Sequence, residues 1–499
     1  MNRRIALLLL ALVAPLAWTL TRPADFDEAN FLTLARGALA DPWRPHNILI
    51  NWQGTTEPAF AVLSNPPGIA WWLAPVLSWP TWAMRLWMLP WLALAGWGAV
   101  NLGKRFLGDG ETGALVLLTS PIVILSTTAL LPDAPLYAVT LAGMAGYIAA
   151  VERGSGSAPW ALLLGFAACF RYSGIALWPL AFLWPFVQRR PAFPAFAVVI
   201  PMALLAAHDV AAYGKVHVFA MGAFQSVANT PAEWGHKAVT ALTMLGGAVV
   251  LPAYRWRGQH AAAAVVGALL AAPWGFVAMG FGALGGAALA PVVEAILRPA
   301  GTVEAAARPA ADRIFLLSWA FLGVVFLLTL RFGAARYWLP FLAPVALLLP
   351  GDSPRLRLAL SFGLGVLLAA DGALQARGSG ALAARAASLG TGTFVGHWGW
   401  QAALEGAGWS ALDEGATPAP GTLVAIPSEA WPQRVNVRCD HVRWEGHAWP
   451  PVPWLPRSYS HDARANLHAN WMAGPAPTST VVPWWFAADA YEHARVCEE

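Results

Sequence analysis

Between residues 5 and 373 the chain strings together apolar runs, several of 15 to 22 residues, divided by short stretches of Arg, Gly and Pro. A helix needs ~20 apolar residues to cross the ~30 Å hydrocarbon core of a bilayer, so a chain divided in this way has few ways to fold other than across a membrane, many times. The runs fall near 5–20, 85–103, 112–131, 134–151, 158–170, 172–188, 192–212, 238–253, 259–275, 276–297, 314–330, 337–350 and 357–373, which predicts a polytopic α-helical membrane protein of about 13 crossings. Composition agrees: 58% of the 499 residues are hydrophobic and 12% charged, against roughly 45–50% and about 25% in a soluble domain. The first run, Ile5 to Leu20, follows Arg3 and Arg4 and lacks a convincing small-residue cleavage site, so it reads as an uncleaved first membrane helix.

Basic residues set the orientation. Placing Arg3/Arg4, Lys104/Arg105, Arg153, Arg189/Arg190, Arg255/Arg257, Arg298/Arg308/Arg313 and Arg355/Arg357 on the cytoplasmic side satisfies the positive-inside bias with one assignment. That assignment puts a long loop, 21–84, and the C-terminal region outside. The net charge of +4 is scattered rather than gathered into a stripe, which excludes a nucleic-acid-binding surface. Arg outnumbers Lys 28 to 3, a bias of GC-rich bacterial genomes that points to an inner (plasma) membrane with the active face in the periplasm.

Charged residues become denser from about residue 374, dividing a membrane part, 1–373, from a small extracytoplasmic α/β domain, 374–499, with a strand at Thr422–Ile426. This tail holds ten of the 28 Trp. Trp398, Trp400, Trp409, Trp484 and Trp485 read either as a sugar-stacking surface or as core and interfacial anchors. Cys439 and Cys497 read equally as a disulfide or as two free thiols.

Chemistry concentrates in a few short motifs. Asp25-Phe26-Asp27-Glu28 sets three carboxylates within four residues just beyond the first run, which suits a general base or a divalent-metal ligand, and equally a helix cap. Asp133 stands between two apolar helices, where an acid is either functional or a cap. Arg331 to Tyr337 places basic residues on the outer side, against the usual bias, where Arg336 and Tyr337 suit an anionic phosphate; Arg171-Tyr172 repeats the pairing on the same face. Lys215, His217, His236 and Lys237 lie in another outer loop and read as ordinary loop residues. There is no Gly-rich phosphate loop, no HExxH and no Cys-based metal spacing, so ATP hydrolysis and zinc proteolysis are not indicated.

Taken together these motifs resemble the GT-C superfamily of membrane glycosyltransferases, in particular the family-39 group of protein O-mannosyltransferases and lipid A aminoarabinose transferases. Asp27-Glu28-Ala29-Asn30-Phe31-Leu32-Thr33-Leu34-Ala35-Arg36 is similar to the Asp-Glu motif that opens the family's first outer loop. Asn65-Pro66-Pro67-Gly68 is similar to its His- or Lys-Pro-Pro-Leu element, with Asn65 and Gly68 as departures. Asp133-Ala134-Pro135-Leu136 resembles its second acidic motif, and Arg336-Tyr337-Trp338-Leu339-Pro340 its Arg-Tyr-x-x-Pro helix start.

The resemblance implies transfer of a hexosyl or pentosyl group from a polyprenyl-phosphate donor to an acceptor hydroxyl on a lipid, glycan or protein, at the extracytoplasmic face. It assigns Asp27 as general base, Glu28 and Asp133 as its acidic companions, and Arg336, Tyr337 and Arg171 as donor-phosphate ligands. Asn65, Pro66 and Pro67 belong to the loop element. The implied reaction requires no cofactor, and a divalent ion is left open at Asp25, Asp27 or Asp133. The alternative is a transporter or flippase for a lipid-linked or small anionic substrate.

Overall fold

A computed structural model of the chain describes residues 17, 19–52, 54–127, 129–226, 231–249, 258–297, 310–330, 332–348, 354–468, 471–472 and 480–499. Arg331 and most of the first apolar run lie outside these residues. The described residues of every other apolar run fall mostly on helix, but they do not contain thirteen helices of spanning length. Asp133–Arg153, Phe193–Tyr213, Phe276–Glu294, Ala310–Thr329 and Ala359–Ala387 are long and apolar enough to cross a membrane, and Gly110–Leu118 with Pro121–Thr127 makes a sixth bent by 78°. The rest are shorter for local reasons. Pro121 opens a new helix at the bend, Pro185 lies inside Trp178–Val187, and Pro344 lies inside Leu339–Leu348; proline donates no backbone hydrogen bond and crowds the preceding turn.

Asp133–Arg153 is the central helix. It is apolar on all sides and almost wholly enclosed, the pattern of a helix surrounded by other helices. Small residues let its neighbours close in: a Cβ on Gly143 would stand 2.9 Å from the backbone of Leu164. Its two ends carry different charges. At the C-terminal end Arg105 bridges Glu152 at 2.6 Å and Asp312 at 2.8 Å, tying three helix ends at one level. At the N-terminal end stands Asp133, about 30 Å away at 1.5 Å per residue, close to the thickness of a bilayer core.

The helix Pro354–Ala387 continues unbroken past residue 374, and the first strand of the tail is Gly392–Phe394. Five strands form one sheet in the order Ser410–Ala411, Gly392–Phe394, Leu423–Pro427, Glu492–Glu498, His441–Ala448. The first three pair in parallel, joined through the helix Trp398–Gly406; the last three are antiparallel, with Val496 opposite both Ala425 and Trp444. Phe394, Trp400, Leu404, Ala425 and Val496 fill its core. Cys439 and Cys497 form a disulfide across the edge of this sheet.

A separate strand of the tail, Leu455–Arg457, which pairs with Trp485–Ala487, is clamped to the long helix. Arg457, 1% exposed, pairs with Asp371 at 3.1 Å and Asp489 at 3.1 Å and lies 4.1 Å above the Tyr491 ring, while the Ser458 backbone N–H and hydroxyl both donate to Asp371. Of the tryptophans that could have stacked on sugars, Trp400 and Trp409 are buried and donate to Val395 and Gly390 carbonyls, and Trp484 donates to Gly247. Trp398 packs on Phe26 with ring centroids 4.9 Å apart.

Candidate functional site

The site is built where the first loop turns into the helix Glu28–Ala40. Phe26 adopts a left-handed backbone, φ 43°, which costs a bulky residue about 1–3 kcal/mol and needs outside support. The support is aromatic: its ring stacks on His468 at 3.9 Å and lies against Trp398 and Tyr459. The turn separates the three acids into different surroundings.

Glu28 is buried and fully engaged. Arg22 holds it at 2.7 Å and Arg85 at 2.6 Å, and the backbone N–H groups of Leu130 and Asp25 donate to the same carboxylate. Burial alone would raise its pKa, but the two arginines outweigh burial and hold it down to about 2. A carboxylate so held is a tie between the first loop, Arg85 and the loop before Asp133; no lone pair is left aimed at a substrate. Arg85 and Arg22 escaped the sequence reading. A solitary arginine at the head of the apolar run 85–103 was the available signal, because an unpaired charge is costly there.

Asp27 sits at the helix N-terminus without capping it, and Asp133 likewise makes no cap. Both carboxylates turn to arginines instead. Arg336 donates to Asp27 and lies 4.0 Å from Asp133, and Arg171 approaches Asp133 at 3.3 Å. Asp133 is 0% exposed, whereas the Asp27 side chain keeps 19% of its surface open. The Tyr337 ring faces both guanidiniums, at 4.7 Å from Arg171 and 5.7 Å from Arg336. Four segments far apart in sequence thus meet as two acids and two arginines at one end of the central helix.

Residues of the tail complete this cluster. The strand Phe332–Gly333, leading into Arg336, pairs with Trp471–Met472. Ala335 donates its N–H to the Leu467 carbonyl, and Arg336 donates to the carbonyl of His468. Nothing in the sequence pattern marked His468, whose burial and proximity to Arg336 push its pKa down to about 3 and keep it neutral.

The loop element stands beside Arg171. Pro67 precedes the short helix Gly68–Leu73, and a Cβ at Gly68 would come within 2.3 Å of the Cys169 carbonyl oxygen. Glycine there is what lets this helix lie against the backbone just before Arg171. Pro66 and Pro67 are buried, and the Asn65 carbonyl accepts from His46. The Asn65 side lines a cavity of about 470 Å³ with Arg171, Tyr172 and Tyr337, whose other walls include Ile175, Val218, Met221, Phe326 and Leu330. A second cleft opens beside Arg336, lined by Asp25, Phe26, Ser126 and His468 and by apolar residues of the helices Pro121–Thr127 and Pro354–Ala387.

The remaining sequence candidates lie elsewhere or serve structure. His217 is buried with its ring nitrogen 2.7 Å from the Tyr172 hydroxyl, and Lys237 donates to the Leu328 carbonyl. Asp25, Asp27 and Asp133 are not gathered as a metal-ligand set: Asp27 and Asp133 face arginines, and among the described residues no three His, Cys, Asp or Glu side chains are placed to hold an ion.

No protein-family model matches the chain, and no curated protein matches it. Two solved structures are similar to it: ArnT from Cupriavidus metallidurans in the apo state, at 13% identity and a TM-score of 0.39, and the same protein bound to undecaprenyl phosphate, at 14% and 0.44. Each likeness spans 85% of this chain and 92% of the other.

Proposed function

We propose that this protein is an integral-membrane glycosyltransferase that moves a sugar from a polyprenyl phosphate to an acceptor hydroxyl on the extracytoplasmic face. The observation that carries the reading is the Asp27, Asp133, Arg171, Arg336 cluster with Tyr337, set at one end of the central helix and opening on an apolar-walled cavity. A phosphate tethered to a long hydrocarbon needs this combination: cations at the bilayer surface and greasy walls below them. The disulfide between Cys439 and Cys497 fits a tail in an oxidising compartment.

In this reading the donor phosphate binds at Arg171 and Tyr337 and draws Arg336 toward it. Asp27, relieved of its partner, accepts the proton of the acceptor hydroxyl as that oxygen attacks the anomeric carbon. The bond from the anomeric carbon to the phosphate oxygen breaks, and polyprenyl phosphate leaves as an already stable anion, without a general acid. Arg336 and Arg171 offset the charge that grows on it. Asp133, fully buried between the two arginines, orients both and is a positioning residue. Glu28 fixes the loop on which Asp27 is carried.

A transporter would carry its charges along a path through the helix centres; here the cluster lies at helix ends. The decisive experiment supplies radiolabelled undecaprenyl-phosphate sugars to the purified protein and follows release of undecaprenyl phosphate. Turnover in wild type that disappears in Asp27→Asn, with donor binding retained, supports the assignment. Flux of intact donor across proteoliposomes without bond breakage would replace it with the transporter reading.

A further inference from the structure

The cleft beside Arg336 contains two polar atoms with no hydrogen-bond partner among the described residues, Asp25 Oδ2 and His468 Nε2. Asp25 is 6% exposed. Leaving a carboxylate oxygen buried and unsatisfied costs about 1–3 kcal/mol, and most such atoms in proteins have a partner. The other charged groups of the cleft are already taken: Arg22 pairs with Glu28, and Arg336 with Asp27. The lining nevertheless carries two arginines, Arg22 and Arg336, against two carboxylates, Asp25 and Glu28, so what the cleft lacks is not a counter-charge. An open carboxylate oxygen beside a neutral imidazole nitrogen is complemented by a hydroxyl, which donates to the first and either donates to or accepts from the second.

The walls add a second requirement. Ile122 and Leu125 come from the helix Pro121–Thr127 and Ala369 from Pro354–Ala387, both of them apolar helices of the membrane part. A ligand that fits both floor and walls has a hydroxyl-bearing head and an apolar body. We infer that this cleft binds a hydroxyl-bearing amphiphile, with its hydroxyl held between Asp25 and His468, separately from the cavity at Arg171 and Tyr337. The name acceptor site rests on the glycosyltransferase reading; the binding itself does not. His468 belongs to none of the motifs that suggested the reaction, and Asp25 has no role in the transfer proposed above.

The test uses the full chain purified in lauryldimethylamine oxide, a detergent without hydroxyls, and dicyclohexylcarbodiimide, which modifies protonated carboxyls in apolar surroundings. Burial raises the Asp25 carboxyl to about 6, so at pH 6 it is reactive, and peptide mass spectrometry reads its modification alone. Octyl glucoside should slow labelling of Asp25 by about fivefold or more, the worth of one hydroxyl pair of hydrogen bonds, whereas an octyl sulfobetaine of the same chain length should not. His468→Ala should keep the labelling and lose the protection. Equal protection by the two amphiphiles, unchanged protection in His468→Ala, or no labelling of Asp25 would each overturn the inference. Undecaprenyl phosphate binding is measured on the same preparation. Its absence would remove the glycosyltransferase reading and leave the hydroxyl site to stand or fall on the labelling.

Discussion

Adjacent acids in this protein carry out different tasks because a single left-handed residue, Phe26, turns them apart. Glu28 accepts hydrogen bonds from two arginines, Arg22 and Arg85, so Glu28→Gln should remove the carboxylate that both hold and lower stability by about 3–5 kcal/mol. Thermal unfolding in detergent measures this, and Asp27→Asn, at a partly open pair, should cost only about 1 kcal/mol while abolishing turnover. The pH dependence has a definite sign. The folded Glu28 titrates at about 2, below its ordinary 4.5, so its contribution is present above pH 4.5 and fades as pH falls toward 2. Asp25 behaves oppositely: burial lifts it to about 6, so its contribution is present below the ordinary carboxylate range and is lost as pH rises through 6. Asp25→Asn should therefore melt a few degrees above wild type at pH 7.5 and not at pH 4. At this scale the sequence was legible as a set of unusual side chains, and Asp27, Asp133, Arg171, Arg336 and Tyr337 do meet. The division of labour between Asp27 and Glu28 was not legible, because it depends on Arg85, 57 residues away, and no local pattern encodes such a partner.

Among elements, hydropathy located the helices better than it measured them. The run at 112–131 looks continuous to a hydropathy window, yet Pro121 opens a second helix bent by 78° from the first. The helix ends at Thr127 and Phe170 have a use: the residues just after them bring the Leu130 N–H to Glu28 and Arg171 to Asp133, at the end of the central helix. Gly68 shows the same economy at a contact. Gly68→Leu, which restores the residue of the family pattern, should force the short helix off the Cys169 carbonyl and shift Arg171. We expect undecaprenyl phosphate to bind about tenfold more weakly, a loss of ~1.4 kcal/mol, in a filter-binding assay.

Over the whole molecule, the C-terminal tail is part of the site and not an appendage, through Leu467, His468 and Trp471–Met472. One attachment of the tail to the long helix is the buried Arg457–Asp371 pair, and Arg457→Met should leave Asp371 without its arginine, cost about 3–5 kcal/mol, and expose the segment after Arg457 to limited proteolysis. Turnover should fall in parallel, since Leu467 and His468 hold the Arg336 segment. Reducing the Cys439–Cys497 disulfide, whose cysteines are 58 residues apart, should weaken the sheet by roughly 4 kcal/mol, seen as a lower unfolding temperature in dithiothreitol. None of this docking was visible beforehand: charge density marks where the tail differs from the spans, but not which of its carbonyls face Arg336.

On the proposed function, the contacts that run from Phe26 to His468 and from Ala335 to Leu467 would also set when the protein becomes active during its synthesis. The residues of the cluster emerge from the ribosome in the order 27, 133, 171 and 336, yet the carbonyls that seat the last of them belong to a segment made more than a hundred residues later, and on the proposed orientation that segment must be exported before it can dock. A nascent or truncated chain would insert its helices and hold every charged group of the centre, and still be inert. Activity would then begin as a single late event, coupling catalysis to completed translation and export.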